Sequence, residues 1–543
     1  MRIGPTVIVL LAVAGCGSKG SVTFTIRPPT LDVLNPITDQ VSEYALKHFD
    51  GTLVGVASEA PGSPDSLALG PLVQQTTPAD LVMTVLSGSQ LLGMARIRDV
   101  VIVNGVRRDY AVDVRKSLIT IGSALPDEAL AAGNPPNSPQ AGRILDPTTN
   151  QDLAASTAAN HPALPAATSA AASTWDGRFL LTANAKGVSV IDTGSGATVG
   201  LAPLSFAAAK LAVGARDSAV VAINAGANGS VTIFPDVTAL TTSPASAPSM
   251  LVPISGEPRS AVFDASGKRA FILTGGATTD PCNGTLPAPN SIVAIGLDGA
   301  VQGTWTLPAF ASDLTVDSSS GAVLVSEAIG NRVSTLDVNQ PFGAVTPTKL
   351  VDATCPSALR AANGALYVVT AERPSADSTE FILQRILANG TATRLSFSGP
   401  LYNENVTSVP GPDGNTSLNF GIRPPAIYAY DMAVTPDGST AVFATRARYV
   451  EAPAQSFKLF GTTATADVCK PDIDIVEYGL YTMDTRTGTA SYESRSLIVL
   501  KNDSATGAVC VNCTISNVPD IAIGCASTPG DRAAGLAAVF GGP

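Results

Sequence analysis

The stretch Ala171-Ala172-Ser173-Thr174-Trp175-Asp176-Gly177-Arg178-Phe179-Leu180-Leu181-Thr182-Ala183-Asn184, followed by Val188-Ser189-Val190-Ile191-Asp192-Thr193-Gly194-Ser195-Gly196, decides the fold. It reads as a short strand, a turn over Trp175 to Arg178, a second apolar strand, a brief loop, and a third strand closed by Asp192 and a Gly-rich turn. Short runs of Val, Ile, Leu and Phe bounded by Gly, Asp or Pro are the mark of short strands joined by tight turns. The first turn recurs downstream. Val262-Phe263 leads through Asp264-Ala265-Ser266-Gly267-Lys268 to an apolar strand at 270–274, and Leu314-Thr315-Val316 leads through 317–321 to 322–326. Met432-Ala433-Val434 leads through Pro436-Asp437-Gly438 to 441–445, with a fifth copy at 359–369 and a weaker sixth at 211–223. The end of the third strand recurs as well, in Leu336-Asp337, Leu297-Asp298-Gly299, Asn389-Gly390 and Met483-Asp484-Thr485-Arg486-Thr487-Gly488.

Successive units begin roughly 40–55 residues apart, the period of four-stranded propeller blades. Helical repeats are excluded, because the Gly, Pro and Asp-Gly punctuation leaves no room for helices of ordinary length. Phe179-Leu180-Leu181-Thr182-Ala183-Asn184 with Val188-Ser189-Val190-Ile191-Asp192, and Asn331-Arg332-Val333-Ser334-Thr335-Leu336-Asp337, resemble the repeats of YVTN/NHL-like, YncE-type β-propellers. The resemblance covers about residues 167–500 and implies the fold, but a fold of this kind hosts many activities. Trp175-Asp176 sits in the first turn rather than closing a third strand, so the pattern is not that of a WD40 repeat.

Six units fit between 167 and about 500. Residues 117–122 and 142–146, with the turn Pro147-Thr148-Thr149-Asn150, look like the second and third strands of a further unit whose first strand is 535–540. Joining the two ends would close a ring and remove an exposed sheet edge. The expected fold class is therefore all-β: a roughly seven-bladed β-propeller over 117–543, preceded by a small β-sandwich over 21–116. The sandwich is expected from strand-like segments at 22–26, 51–56, 81–86, 100–103 and 110–114, and its simplest role is a spacer.

The N-terminus combines Arg2, an apolar run at 7–13, and Val13-Ala14-Gly15-Cys16. The run is too short to span a bilayer and suits the apolar core of a secretory signal. It resembles a bacterial lipoprotein signal peptide, which implies removal of 1–15 and lipidation of Cys16, with 16–20 as a flexible tether. Two or more acyl chains anchor stably where one does not. Gly17 rather than an acidic residue follows the cysteine, which points to the outer membrane, on either its periplasmic or its surface side. The chain of 543 residues carries a formal net charge of −11, which disfavours nucleic acid and anionic headgroups as partners. Its 49 Gly and 40 Pro lie below the ~25–30% of disordered composition. The mean hydropathy of +0.25 comes from Ala and Val, with apolar stretches interrupted by charges such as Lys210, Arg216 and Asp217.

The loops joining second to third strands, and each unit to the next, leave one face of the disc. The long insertions at 123–141, 275–290, 397–428, 446–475 and 499–532 all belong to that class, while tight turns alone are expected on the opposite face. Elaborated loops on a rigid scaffold usually carry binding. Apart from Cys16, the cysteines Cys282, Cys355, Cys469, Cys510, Cys513 and Cys525 fall in the same class of loop. An even count in an exported chain favours disulfides. Cys282 with Cys355 is the preferred pair, and the pairing of the other four stays open. A Cys₄ zinc site built from them, using the Cys510-Val511-Asn512-Cys513 spacing, is the sharper alternative, disfavoured in an oxidising compartment. No metal, cofactor or catalytic residue is assigned. His48 and His161 are isolated, which disfavours His-ligated metals and Ser-His-Asp chemistry. Expected function is non-catalytic binding of a protein, peptide or glycan at the cell envelope. The alternatives are a lactonase-like propeller hydrolase with calcium held by carboxylates, where Glu327, Asn331 or Asp313 would line the channel, or a purely structural envelope component.

Overall fold

The computed structural model describes residues 21–37, 40–49, 52–58, 66–68, 74–103, 106–124, 142–149, 151–153, 164–165, 167–224, 229–275, 290–317, 320–375, 378–387, 390–398, 426–450, 457–459, 462–464, 473–502 and 532–540. Val220, Val221, Ala222 and Ile223 are all fully buried, although neighbours in a strand point to opposite faces. Val220 and Ala222 pack toward the preceding sheet, Val221 and Ile223 toward the following one. A sheet covered on both faces requires continuous apolar runs rather than alternation. That accounts for the positive mean hydropathy. Among the described residues no helix is long and apolar enough to cross a membrane.

The sheets follow one plan. Ala170–Ser173, Phe179–Asn184, Gly187–Asp192 and Thr198–Pro203 pair antiparallel in chain order; among the described residues six sheets of four or five strands follow this order, and a seventh differs only in taking its first strand from the C-terminal end. Their first strands are Ala170–Ser173, Lys210–Val213, Glu257–Phe263, Ala311–Val316, Pro356–Ala362, Ala426–Val434 and Arg532–Ala538. Each touches the next, and Arg532–Ala538 touches Ala170–Ser173, so the order is closed. The arrangement is a β-propeller. Arg532–Ala538 runs antiparallel to Ile119–Ala124, with Arg532 opposite Ala124 and Ala538 opposite Ile119, and Arg143–Asp146 and Gln151–Asp152 complete that sheet. Both ends of the chain thus meet in one sheet. Apolar clusters fill the space between successive sheets, for instance Leu324, Val333, Leu359 and Val368 and Ile121, Val442, Ala444 and Leu536.

Turn chemistry repeats as the sheets do. Gly177 and Gly438 sit at φ +70° and +69°, a region where a side chain is strained. A Cβ on Gly177 would also collide with the Phe540 ring. The two turns of a sheet are tied together: Thr193 Oγ1 donates to the Gly177 carbonyl at 2.6 Å, and Thr485 Oγ1 donates to that of Gly438.

Two expectations about the connections fail. The face carrying these turns does not hold tight turns alone. Between Ser230–Phe234 and Met250–Pro253 stand a helix, Val237–Thr242, capped by Asp236 Oδ1 accepting from the Ala239 N–H at 2.9 Å, and a 3-10 turn, Pro244–Ser246. Between Arg332–Leu336 and Thr348–Asp352, Gly343–Ala344 adds a parallel strand to Val301–Thr306. These connections lead to outermost strands, where extra length costs little loop entropy. On the other face, Thr440–Val450 and Ile473–Asp484 stay paired as far as Val450 opposite Asp474. The flanks of the expected 446–475 loop are therefore strand, which satisfies their backbone groups without leaving the sheet.

The N-terminal residues form two further sheets. Ser21–Arg27 lies between Ser66–Ala68 and, in parallel, Arg107–Asp113. Leu53–Ser58, Glu43–His48, Gln75–Ser87, Gln90–Ile102 and Arg115–Lys116 form the second. Val22, Phe24 and Ile26 of one share a core with Leu46, Leu81 and Met83 of the other, which makes a β-sandwich.

Candidate functional site

Four first strands carry a register shift near their start, between Pro258 and Ser260, Ala311 and Asp313, Pro356 and Ala358, and Ala429 and Asp431. The extra residue re-aims the side chain that follows it. At that position Asp313 accepts from Ser260 Oγ at 2.6 Å, Arg360 Nη1 at 2.8 Å and the Leu359 N–H at 3.1 Å. Asp431 accepts from Lys210 Nζ at 2.7 Å, Arg360 Nη2 at 2.8 Å and the Leu536 N–H at 3.0 Å. Six of the seven first strands are thereby joined across the axis by one ionic network. Burial works against the Asp313 carboxylate, but Arg360 and Lys210, with Ser260 and the Leu359 N–H, hold it below the usual carboxylate range. Burial likewise opposes the charge of Arg360, and Asp313 and Asp431 outweigh it and raise its pKa.

The second polar concentration lies where the sandwich meets the turn face. Leu34, Leu91 and Met94 of the sandwich pack with Leu118, Leu180 and Phe540 of the propeller. Arg96 reaches across to donate to the Trp175 carbonyl at 3.1 Å and the Phe540 carbonyl at 2.7 Å. Its guanidinium stands over the rings of Phe49, Trp175 and Phe540 at 5.4, 5.6 and 6.0 Å. Burial lowers its pKa to about 10, against the pull of Asp217 and Asp176. Arg216 and Asp217, at φ +54° and +55°, occupy a strained backbone region and are held by the sandwich. Arg216 pairs with Asp80 at 3.0 Å and Asp99 at 2.8 Å, and Asp217 with Arg98 at 2.6 Å.

Asp217 also accepts from the Trp175 N–H. Burial first, then Asp176, raises its pKa from 3.8 to about 6, against Trp175, Arg98 and Arg96. The folded chain therefore holds this proton more tightly than the unfolded chain. The stability it contributes is full below about pH 4 and is lost as pH rises through about 6. Asp217→Asn should remove that slope and raise stability at neutral pH by about 1–2 kcal/mol. Urea unfolding at several pH values checks this, and an unchanged slope would contradict it.

Among the described residues, those singled out in the sequence meet only at Asn331 and Cys355. Asp313 lies in the axial network, where its carboxylate is taken up by Ser260, Arg360 and the Leu359 N–H. Glu327, fully buried, is engaged by Arg332 and by Ser334 Oγ at 2.6 Å. Asn331 accepts from the Cys355 N–H at 2.8 Å. Cys355 is buried and is not a free thiol, its partner lying outside the described residues. Cys16, Cys282, Cys469, Cys510, Cys513, Cys525 and His161 also lie outside them. His48 lines a cleft between sandwich and propeller. Sequence reading missed Lys210, Arg360 and Asp431. The available signal was the shared placing of Asp313 before Leu314-Thr315-Val316 and Asp431 before Met432-Ala433-Val434, one residue upstream of where each strand seemed to begin.

No family model matches the chain, and no curated protein matches it in sequence. Among solved structures it is similar to Kuenenia stuttgartiensis hydrazine synthase, at 12% identity and a TM-score of 0.36 over 60% of this chain and 95% of that one. It is also similar to the β-propeller domain of Myceliophteria thermophila Cps50 (Swd1), at 10% identity and a TM-score of 0.35 over 60% of this chain and 96% of that one. A Bacteroides thetaiotaomicron protein of unknown function matches at 10% identity and a TM-score of 0.33 over 77% and 95% of the respective chains. Likeness this distant assigns no activity, and the fold rests on the strand order described above.

Proposed function

We propose that this is a lipid-anchored protein of the cell envelope whose YVTN/NHL-like propeller binds a protein, peptide or glycan through its elaborated face, without catalysis. The observation that carries the reading is the placement of the sandwich. It packs against the turn face through Arg96, Arg98 and Arg216. The opposite face keeps the long hairpins Ala365–Ser375 with Ser378–Leu387 and Thr440–Val450 with Ile473–Asp484. Chain direction then runs from anchor to sandwich to disc, with the elaborated face on the far side. Binding is favoured over lactonase-type hydrolysis because the acids offered for a cation, Asp313 and Glu327, already serve Arg360 and Arg332. In this reading Cys282 pairs with Cys355, which sits buried against Phe310 and Ala328, and staples two neighbouring loops of that face.

The anchor is tested by Cys16→Ser in the full chain, followed by fractionation and labelling with a radioactive fatty acid. The wild type should carry label and sediment with outer membrane, and the variant should lose both. Label or membrane retention in the variant would overturn the anchor.

A further inference from the structure

The seam encloses a second feature, a cleft of about 390 Å³ between the sandwich and the turn face. That volume lies within the ~300–1,000 Å³ of small-molecule pockets, which favour such interdomain positions. Lys47, Arg96, Arg385 and Arg486 line it, and Asp437 is the one acid among its described lining residues. This is an inversion of sign in a chain whose net charge is −11. Asp437 is committed to its own turn, accepting from the Ser439 N–H at 3.1 Å and Ser439 Oγ at 2.9 Å, and Arg486 is shared with Asp484 at 3.3 Å. Lys47 has no ion-pair partner among the described residues, and Arg385, whose side chain also meets the Tyr367 hydroxyl, keeps its Nε buried without a hydrogen-bond acceptor. The remaining wall mixes polar side chains, among them Thr84, Ser89 and Asn363, with an apolar side of Phe49, Leu91, Met94 and Phe540. A buried donor without an acceptor is costly, and an incoming anion would remove that cost.

We propose that this cleft binds an organic anion with an apolar body, of the carboxylate class, its head on Lys47 and Arg385 and its body on Leu91, Met94 and Phe540. It lies across the disc from the elaborated face and stands or falls independently of that reading. Titration calorimetry of the whole protein with octanoate, and separately with octylammonium, tests it. Saturable binding of one octanoate, absent for octylammonium, is expected. Lys47→Glu should weaken octanoate by about tenfold or more, while Lys47→Arg keeps it. Lys47→Gln carries the same test should the glutamate variant misfold. Absence of octanoate binding at millimolar concentration, equal binding of both probes, or affinity indifferent to Lys47→Gln would overturn the proposal.

Discussion

Replacing Arg360 with alanine should destabilise the propeller by about 3–5 kcal/mol, the cost of removing one partner from a buried ion pair. Arg360 holds Asp313 and Asp431 at 2.8 Å each, so its loss leaves two buried carboxylates short of their counter-charge. Asp431 keeps Lys210 at 2.7 Å, whereas Asp313 keeps only neutral donors, Ser260 Oγ and the N–H groups of Leu314 and Leu359. The pH dependence identifies the cause. In the native chain Asp313 titrates below the usual carboxylate range, so its ion pair adds stability above the unfolded-state pKa of about 4 that is lost as pH falls through the lower folded value. The deficit of Arg360→Ala should thus be greatest at neutral pH and shrink in acid. Joint replacement of Arg360 and Lys210 by Met and of Asp313 and Asp431 by Asn should recover most of the loss, since removing a whole buried network is often nearly neutral. Denaturant unfolding measures all three, and a deficit below about 1 kcal/mol at neutral pH would show that the network does not hold the axis.

The second large effect is expected at the seam. Arg96→Ala removes two hydrogen bonds from a charged donor, each worth about 1.5–3 kcal/mol, together with three ring contacts. It leaves the Trp175 and Phe540 carbonyls without their donor. A loss of about 3 kcal/mol should fall on the sandwich contact rather than on the ring. Trp175 emission should shift to the red, and protease should cut near the junction at about residues 117–118, while Trp305, fully buried between its own sheets, keeps its environment. Arg96→Lys should not restore the contact, because a single ammonium cannot reach two carbonyls while lying flat on aromatic faces. Unchanged Trp175 emission would contradict this account.

The propeller was legible because its cause is local. Asp-x-x-Gly turns such as Asp264 to Gly267 and strands buried on both faces such as Val220 to Ile223 write the repeat directly into the chain. Pairing of 119–124 with the C-terminal strand could be anticipated from the copy missing at each end. The axial network was not legible in full. Lys210, Ser260, Arg360 and Asp431 come together only through closure of the ring, and nothing local sets Lys210 apart from any other lysine at a strand edge. The helix Val237–Thr242 escaped because its six residues are too few for a periodic signal. The seam was hidden for a further reason. Arg96 and Arg98 alternate with apolar neighbours in Gln90–Ile102 as solvent-facing residues of a strand do, and only the docked partner half-buries one of them.

The central claim is that the sandwich holds the turn face and leaves the elaborated face to bind. It is tested most directly by affinity capture from detergent-solubilised envelope with the full lipid-bearing chain. Two variants are compared with it: one with residues 451–472 replaced by a short Gly-Ser turn, and one with the sandwich surface altered by Arg107→Ala, whose side chain is exposed. The account predicts that a partner held by the wild type and by Arg107→Ala is lost from the loop variant. Retention of that partner by the loop variant would contradict it.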